Sequence, residues 1–348
     1  MTGFAEKDPE SLRDQRVNHP EDHDGIDRRQ FLKRVGKAGV AMAGVGLLSY
    51  RLYDPHGPGA GEESGRGQVE LPSFAQAGKK PQMAIAHGAD RVQSLNLAFR
   101  ALGGIETFIQ QGDRVLIKVN AAFASPPFLS ATTNPELVAE LARLCFKAGA
   151  AVVRVTDYPI NDPESCFALS GIGPAAQSVG ASLILPKDAF FQPTTLAGGT
   201  LIRNWPILFA PFDGVNKLIG VAPVKDHHRS GASMSMKNWY GLIGGRRNIF
   251  HQNINDFIKE LGLLARPTVV VLDGTMSMMT NGPTGGSLSD LKPTNTLIVS
   301  TDQVAADAFG ATLLGKTALD LPYLQKAEAE GVGTVDYESL HPIRLQAG

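Results

Sequence analysis

The chemistry-bearing stretch of this chain runs from Lys225 to Arg247: KDHHRSGASMSMKNWYGLIGGRR. It holds five Lys or Arg residues and two His against the single acid Asp226. Cations gathered this way suit a carboxylate or phosphate ligand. Histidine adds a group that trades protons near neutral pH. Lys225 and Lys237 are expected to hold a small anionic ligand, and His227 or His251 to move a proton on it. Asp273 is expected either to orient a histidine or to hold a metal. Trp239, Tyr240, Leu242 and Ile243 within the stretch argue that it is anchored into a core and is not a solvated loop.

These residues need a scaffold, and the pattern around them is that of an α/β protein. Arg114–Val119 and Ala151–Thr156 are short apolar runs rich in β-branched residues. Between them Asn134-Pro135-Glu136 starts a helix, with Asn as cap, Pro in the first turn and an acid near the positive end. Leu137, Leu141, Leu144 and Cys145 share its apolar face, and Gly149 ends it. Further strands are predicted at residues 182–185, 217–224, 268–272 and 296–300, and helices at 234–243, 254–264 and 303–314. Strands alternating with helices imply a mostly parallel sheet covered by helices on both faces. Ligands of such sheets sit at the carboxyl ends of the strands. Polar groups stand at each predicted end: Lys118 and Asn120, then Asp157, then Lys225 to His228, then Asp273, then Asp302.

Other features bear on cofactors. The loop Asn281–Gly286 is glycine-rich and offers backbone N–H groups to an anion, without a Walker pattern. Met234, Met236, Met276, Met278 and Met279 are either core packing or soft ligands for copper. His227, His228 and His251 with Asp273 are a second candidate metal set, although their spacing matches no metal motif. The cofactor therefore stays unknown at this level. The two cysteines, Cys145 and Cys166, form no C-x-x-C pair and cannot by themselves hold an iron–sulfur cluster. Cys145 is expected in the core, with a disulfide to Cys166 as the alternative.

The N-terminal part reads differently. Residues 1–27 hold eight acidic and three basic residues and read as a disordered polar leader. Asp27-Arg-Arg-Gln-Phe-Leu-Lys33 matches the twin-arginine export pattern, and a short Gly/Ala-rich apolar stretch follows it from Ala38 to Leu48. Residues 28–53 are thus expected to be an export signal read by the twin-arginine machinery. The signal is either cleaved or kept as an inner-membrane tether, with the remainder in the periplasm. Residues 54–80 are rich in Gly, Pro and charge and read as a flexible linker. Residues 81–348 form the α/β domain. A net charge of -1 gives no basis for nucleic-acid binding.

Several of these segments together resemble the family called domain of unknown function 362, in its twin-arginine-exported form. Val115–Asn120 resembles that family's strand ending in Lys-Pro-Asn, with Val119 at the place of the Pro. Ala131-Thr-Thr-Asn-Pro-Glu136 resembles its helix start. Pro223–His228 and Met236–Gly241 resemble its Lys-x-His and Leu-Lys-Asn-x-x-Gly segments. His251, Val271–Gly274, Asn281–Pro283 and Asp302–Asp307 continue the likeness. The resemblance implies a site lined by Lys118, Asn120, Thr132, Thr133, Lys225, His227, Lys237, Asn238, His251 and Asp273. Many members carry fused ferredoxin-like cysteine motifs. The family therefore also suggests a redox-associated role, either handling a metal or cofactor or passing electrons to a periplasmic partner.

Overall fold

The computed structural model describes residues 70–347 and a few residues of a helical stretch between 29 and 39. The polar leader and the apolar stretch after the arginine pair lie outside the described residues, as does most of the arginine motif itself. The chain divides into two units, Met1–Pro58 and Gly59–Gly348, and every described strand belongs to the second.

Nine strands form one sheet: β1 (Met83–His87), β2 (Arg114–Lys118), β3 (Val152–Thr156), β4 (Ser182–Ile184), β7 (Lys217–His227), β8 (Gly231–Ser233), β9 (Val269–Met278), β10 (Leu291–Ser300) and β11 (Ile343–Gln346). β5 (Phe191–Thr194) and β6 (Trp205–Leu208) make a separate hairpin. The order across the sheet is β11-β1-β10-β9-β7-β2-β3-β4, with β8 folded back on β7. The run from β9 to β4 is wholly parallel, as are β1 and β11; β10 runs against both neighbours. The sheet is thus mostly parallel, as the strand–helix alternation implies.

Alternate residues of each central strand enter opposite cores, which shows both faces to be covered. Leu116, Leu218, Leu272 and Ile298 pack with Trp239, Ile258, Val304 and Tyr323. Those partners come from α5 (Ser235–Asn238) with its following turn, α6 (Ile254–Leu264), α7 (Gln303–Leu313) and α8 (Pro322–Ala329). Ile117, Ile219, Val271 and Val299 pack with Phe99, Leu141 and Phe167 on the other face. These belong to α1 (Arg91–Ala101), α2 (Pro135–Lys147) and α3 (Pro163–Leu169), with α4 (Ile172–Ser178) beside them. Burial on both faces is why these strands are continuous apolar runs and not alternating ones.

α2 begins as its sequence dictates. The Asn134 side chain accepts from the Glu136 N–H, Pro135 occupies the first turn, and Gly149 takes φ 97° just beyond the end. Three readings are corrected. Strands β9 and β10 are each ten residues long, twice the predicted runs, because they go on pairing with each other, antiparallel, as far as Met278 and Leu291. The helix predicted over 234–243 is one α-turn, α5, followed by a tighter turn over Trp239–Leu242. The end of the predicted linker is pinned to the domain, not free: Phe74 is buried, its N–H donates to the Arg266 carbonyl, and its carbonyl accepts from the Thr268 hydroxyl. Cys145 and Cys166 are both buried free thiols, pushed up to about 12 and about 11 mainly by burial. Among the described residues no helix is long and apolar enough to cross a membrane.

Candidate functional site

β7 is the strand that makes the site. It runs three residues past its predicted end and turns back through Gly231 (φ 76°) into β8. A register shift against β9 falls between Pro223 and Lys225 and re-aims the strand end. Lys225 and His227 point inward and are buried, whereas Asp226 between them pairs with Lys316 at 2.9 Å. The opposite wall comes from the loops after β2 and β3 and from α5, so the strand-end polar groups of β2, β3 and β7 do converge.

Hydrogen-bond accounting separates braces from open groups. Lys118 Nζ contacts Asp157 Oδ1 (2.7 Å), Val119 O (2.7 Å), Asn238 O (2.7 Å) and Asn238 Oδ1 (3.0 Å). An ammonium has three donors, so none is left for a ligand. Asn238 is equally committed: its Nδ2 donates to Lys118 O and Val221 O, and its Oδ1 accepts from Lys118 and Asn120. The Thr133 hydroxyl accepts from the Asn120 N–H and donates to Val221 O. Lys118, Thr133 and Asn238, expected to bind substrate, therefore hold the wall together. Asp157 completes this brace by accepting from the Ala121 and Tyr158 N–H groups.

The open groups are different residues. The Thr132 hydroxyl is buried and has no hydrogen-bond partner among the described residues. Lys225 Nζ donates to Ala131 O at 2.6 Å and reaches Asn120 Oδ1 at 3.4 Å, which leaves one donor. Lys237 is only 8% exposed, yet its Nζ has no hydrogen-bond or ion-pair partner among the described residues; it lies 5.0 Å from the centre of the Tyr240 ring. Burial pushes both amines down to about 7, helped by Lys237 acting on Lys225 and by Arg247 acting on Lys237. Arg247 itself spans the turn, donating to the carbonyls of Tyr158, Pro159, Tyr240 and Ile243.

The rings of His228, His227 and His251 stack in that order, with centroids 5.0 and 6.0 Å apart. Their neighbours assign the tautomers of the inner two. His227 Nδ1 accepts from the N–H groups of Arg229 (3.2 Å) and Ser230 (3.3 Å), so its proton is on Nε2. Tyr240 Oη donates to Arg247 O and can only accept from His251 Nδ1, at 3.1 Å. His251 Nδ1 also faces the Asn248 carbonyl at 3.2 Å. Both contacts require Nδ1–H, which leaves Nε2 a bare lone pair. Burial pushes His227 down to about 2 and lowers His251, with Lys237 adding to both shifts, so both rings are neutral at pH 7. One ring is thus a donor at Nε2 and its neighbour an acceptor at Nε2.

Two polar residues of α7 hold this segment in place. Asp307, raised to about 7 by burial, accepts from the Ser235 and Met236 N–H groups at the start of α5. Gln303 accepts from Trp239 Nε1 at 2.6 Å. Gly241 admits the brace: a Cβ there would stand 1.8 Å from Asp157 Oδ1 and 2.8 Å from Lys118 Nζ.

Several expectations are corrected. Asp273 neither orients a histidine nor joins a metal set. Its Oδ1 accepts from Thr275 N–H and hydroxyl, and its Oδ2 lies 3.5 Å from Arg91 Nε. Among the described residues no three His, Cys, Asp or Glu side chains gather as metal ligands. Met234, Met236 and Met278 are fully buried packing, and Met279 packs against the same core. The Asn281–Gly286 loop folds about a carboxylate of its own chain: Asp290 accepts from Thr280, Asn281 and Ser287. Arg247, Asp157 and Gly241 carry no role in the predicted site, although the first and last lie in the Lys225–Arg247 stretch and Asp157 at a strand end. The Gly-Gly-Arg-Arg run and the acid after β3 were their visible signals.

Comparisons with known proteins give one family and a few distant similarities. The thylakoid-associated protein sll1697 of Synechocystis sp. is 23% identical over 258 residues, covering 72% of this chain and 78% of that protein. The lactate racemase apoprotein of Thermoanaerobacterium thermosaccharolyticum is similar with a TM-score of 0.35 and 13% identity, over 68% of this chain and 57% of that one. A Thermotoga maritima protein of known structure gives a TM-score of 0.36 and 11% identity, over 70% and 59%. The chain thus spans less than two thirds of either solved structure. The family model for domain of unknown function DUF362 matches residues 115–312, a stretch that holds every residue of the site. The chain belongs to the DUF362 family.

Proposed function

We propose that the site binds a small anion, a carboxylate or phosphate, and moves a proton on it. The observation that carries this reading is the complementary pair of neutral imidazoles beside two buried amines that no carboxylate neutralises. His227 Nε2–H donates a hydrogen bond to the oxygen on which charge develops, and His251 Nε2 is the general base that moves the proton. Lys225, with one spare donor, and the unpartnered Thr132 hydroxyl receive the anion. The brace of Lys118, Asp157 and Asn238 keeps the wall rigid, as a preorganised site requires.

Nitrogen-15 spectra of histidine-labelled protein test this arrangement. His227 is expected as the Nε2–H tautomer and His251 as Nδ1–H at pH 7. Added acetate, oxalate or phosphate should shift both Nε2 signals. A protonated Nδ1 on His227, or no shift with any of the three, contradicts the reading.

The proposed setting is the periplasm, reached in folded form through the twin-arginine machinery. The support is the Asp27–Lys33 pattern and the apolar stretch after it. Replacing Arg28 and Arg29 by lysine should keep the protein in the cytoplasmic fraction. Unchanged export of that variant overturns this part.

A further inference from the structure

We infer that Lys237 is an amine nucleophile and forms an imine with a small 2-oxo acid. This rests on the anion-binding reading and names the ligand class. The argument starts from where a proton can reside. An ammonium needs acceptors for three N–H bonds, whereas a neutral amine keeps its lone pair free. Lys225 has two acceptors, Ala131 O and Asn120 Oδ1, and Lys237 has none among the described residues. Two cations in a desolvated site repel, and Arg247 adds its charge on the Lys237 side. The shared proton therefore stays on Lys225 and leaves Lys237 uncharged over the Tyr240 ring. A lysine desolvated beside another cation is the ordinary way an amine becomes a nucleophile at neutral pH.

The groups needed for imine formation surround it. The Lys237 Nζ lone pair forms a bond to the keto carbon, and the carbonyl π pair moves to oxygen. That oxygen takes two protons and leaves as water, while the nitrogen gives up two. The net change is amine plus ketone to imine plus one water, with no electrons exchanged. His251 Nε2 carries both protons in turn from the nitrogen to the oxygen, and His227 Nε2–H steadies that oxygen by donating a hydrogen bond to it. The carboxylate of a 2-oxo acid matches the charge on Lys225 and the free Thr132 hydroxyl. A simple ketone would leave both unanswered.

The test uses the full chain, pyruvate as probe and sodium borohydride to trap the imine, with peptide mass mapping. A reduced adduct is expected on the peptide carrying Lys237. In Lys237→Met and Lys237→Arg proteins, labelling should fall to that of an exposed lysine such as Lys326. Circular dichroism establishes that both variants are folded, and Arg keeps the charge without the free amine. If pyruvate raises the melting temperature but leaves no adduct on Lys237, the imine is overturned and anion binding stands. An adduct on Lys225 instead overturns the assignment. If neither pyruvate nor oxalate stabilises the protein, both readings fall together.

Discussion

Gly241→Ala should unfold the site and destabilise the whole domain by about 4 kcal/mol, the scale of breaking a buried ion pair. The added methyl would lie 1.8 Å from Asp157 Oδ1, so either the carboxylate or the turn must move. Neither is free to do so. Asp157 is held by Lys118 and two backbone N–H groups, and the Gly241 carbonyl accepts from the Tyr158 N–H. The cost is steric and electrostatic and does not come from an unusual backbone angle. Gly180→Ala is the control: φ is 83° there but no atom lies within 4 Å, so about 1 kcal/mol is expected. Urea unfolding checks both. Lys118→Met breaks the same brace, so combining it with Gly241→Ala should cost much less than the sum of the two. Additive losses would show that Lys118 and Gly241 do not share a structural unit.

Lys237→Met should make the ligand-free protein more stable at pH 7, by about 3 kcal/mol or roughly 5 °C. Lys237 is lowered from 10.5 to about 7 in the folded state, so the unfolded chain binds the extra proton between those values. Stability therefore rises with pH across that window, and the penalty on the wild type is largest at and below pH 7. Methionine keeps the volume and loses the amine. The advantage of the variant over the wild type should shrink steadily toward pH 10. Comparing the two proteins at each pH cancels the opposing contribution of Asp307, whose raised carboxyl favours the folded state less as pH climbs from 3.8 to about 7. A variant that is less stable than the wild type at pH 7 would mean that Lys237 has a partner in solution. A gain of this sign is what a binding residue held without its ligand should give.

The sequence carried the architecture further than it carried the site. Runs such as Val115–Ile117 and Val269–Leu272, with Asn134-Pro135 as a helix start, are local signals that tertiary structure did not override. The missed parts depend on distant partners. The start of β10, Leu291-Lys-Pro-Thr-Asn-Thr, has little strand character alone and is extended only because β9 pairs with it. The 234–243 segment has a helical pattern, but Asp157 and Lys118 sit where a side chain at 241 would go. Lys118 and Lys225 look alike in sequence, as lysines near strand ends. They differ because Asp157 and Asn238 saturate one, and only the fold brings those acceptors near. The expectation that Asp273 orients a histidine or holds a metal fails because its charged partner, Arg91, lies far back in the chain on α1. The tautomers of His227 and His251 rest on backbone groups of Arg229, Ser230 and Asn248, which no residue pattern reveals.

Proton uptake on anion binding tests the central claim most directly. Calorimetric titration of the full chain with oxalate at pH 8, in two buffers of different ionisation heat, measures it. At that pH both buried amines are largely neutral, so drawing in an anion should pull a proton onto the site. Net uptake at pH 8, fading toward pH 6 and diminished in Lys225→Met and Lys237→Met proteins, is the predicted result. Oxalate binding with no proton exchange at any pH, or unchanged uptake in both variants, would contradict an anion site built on these lysines.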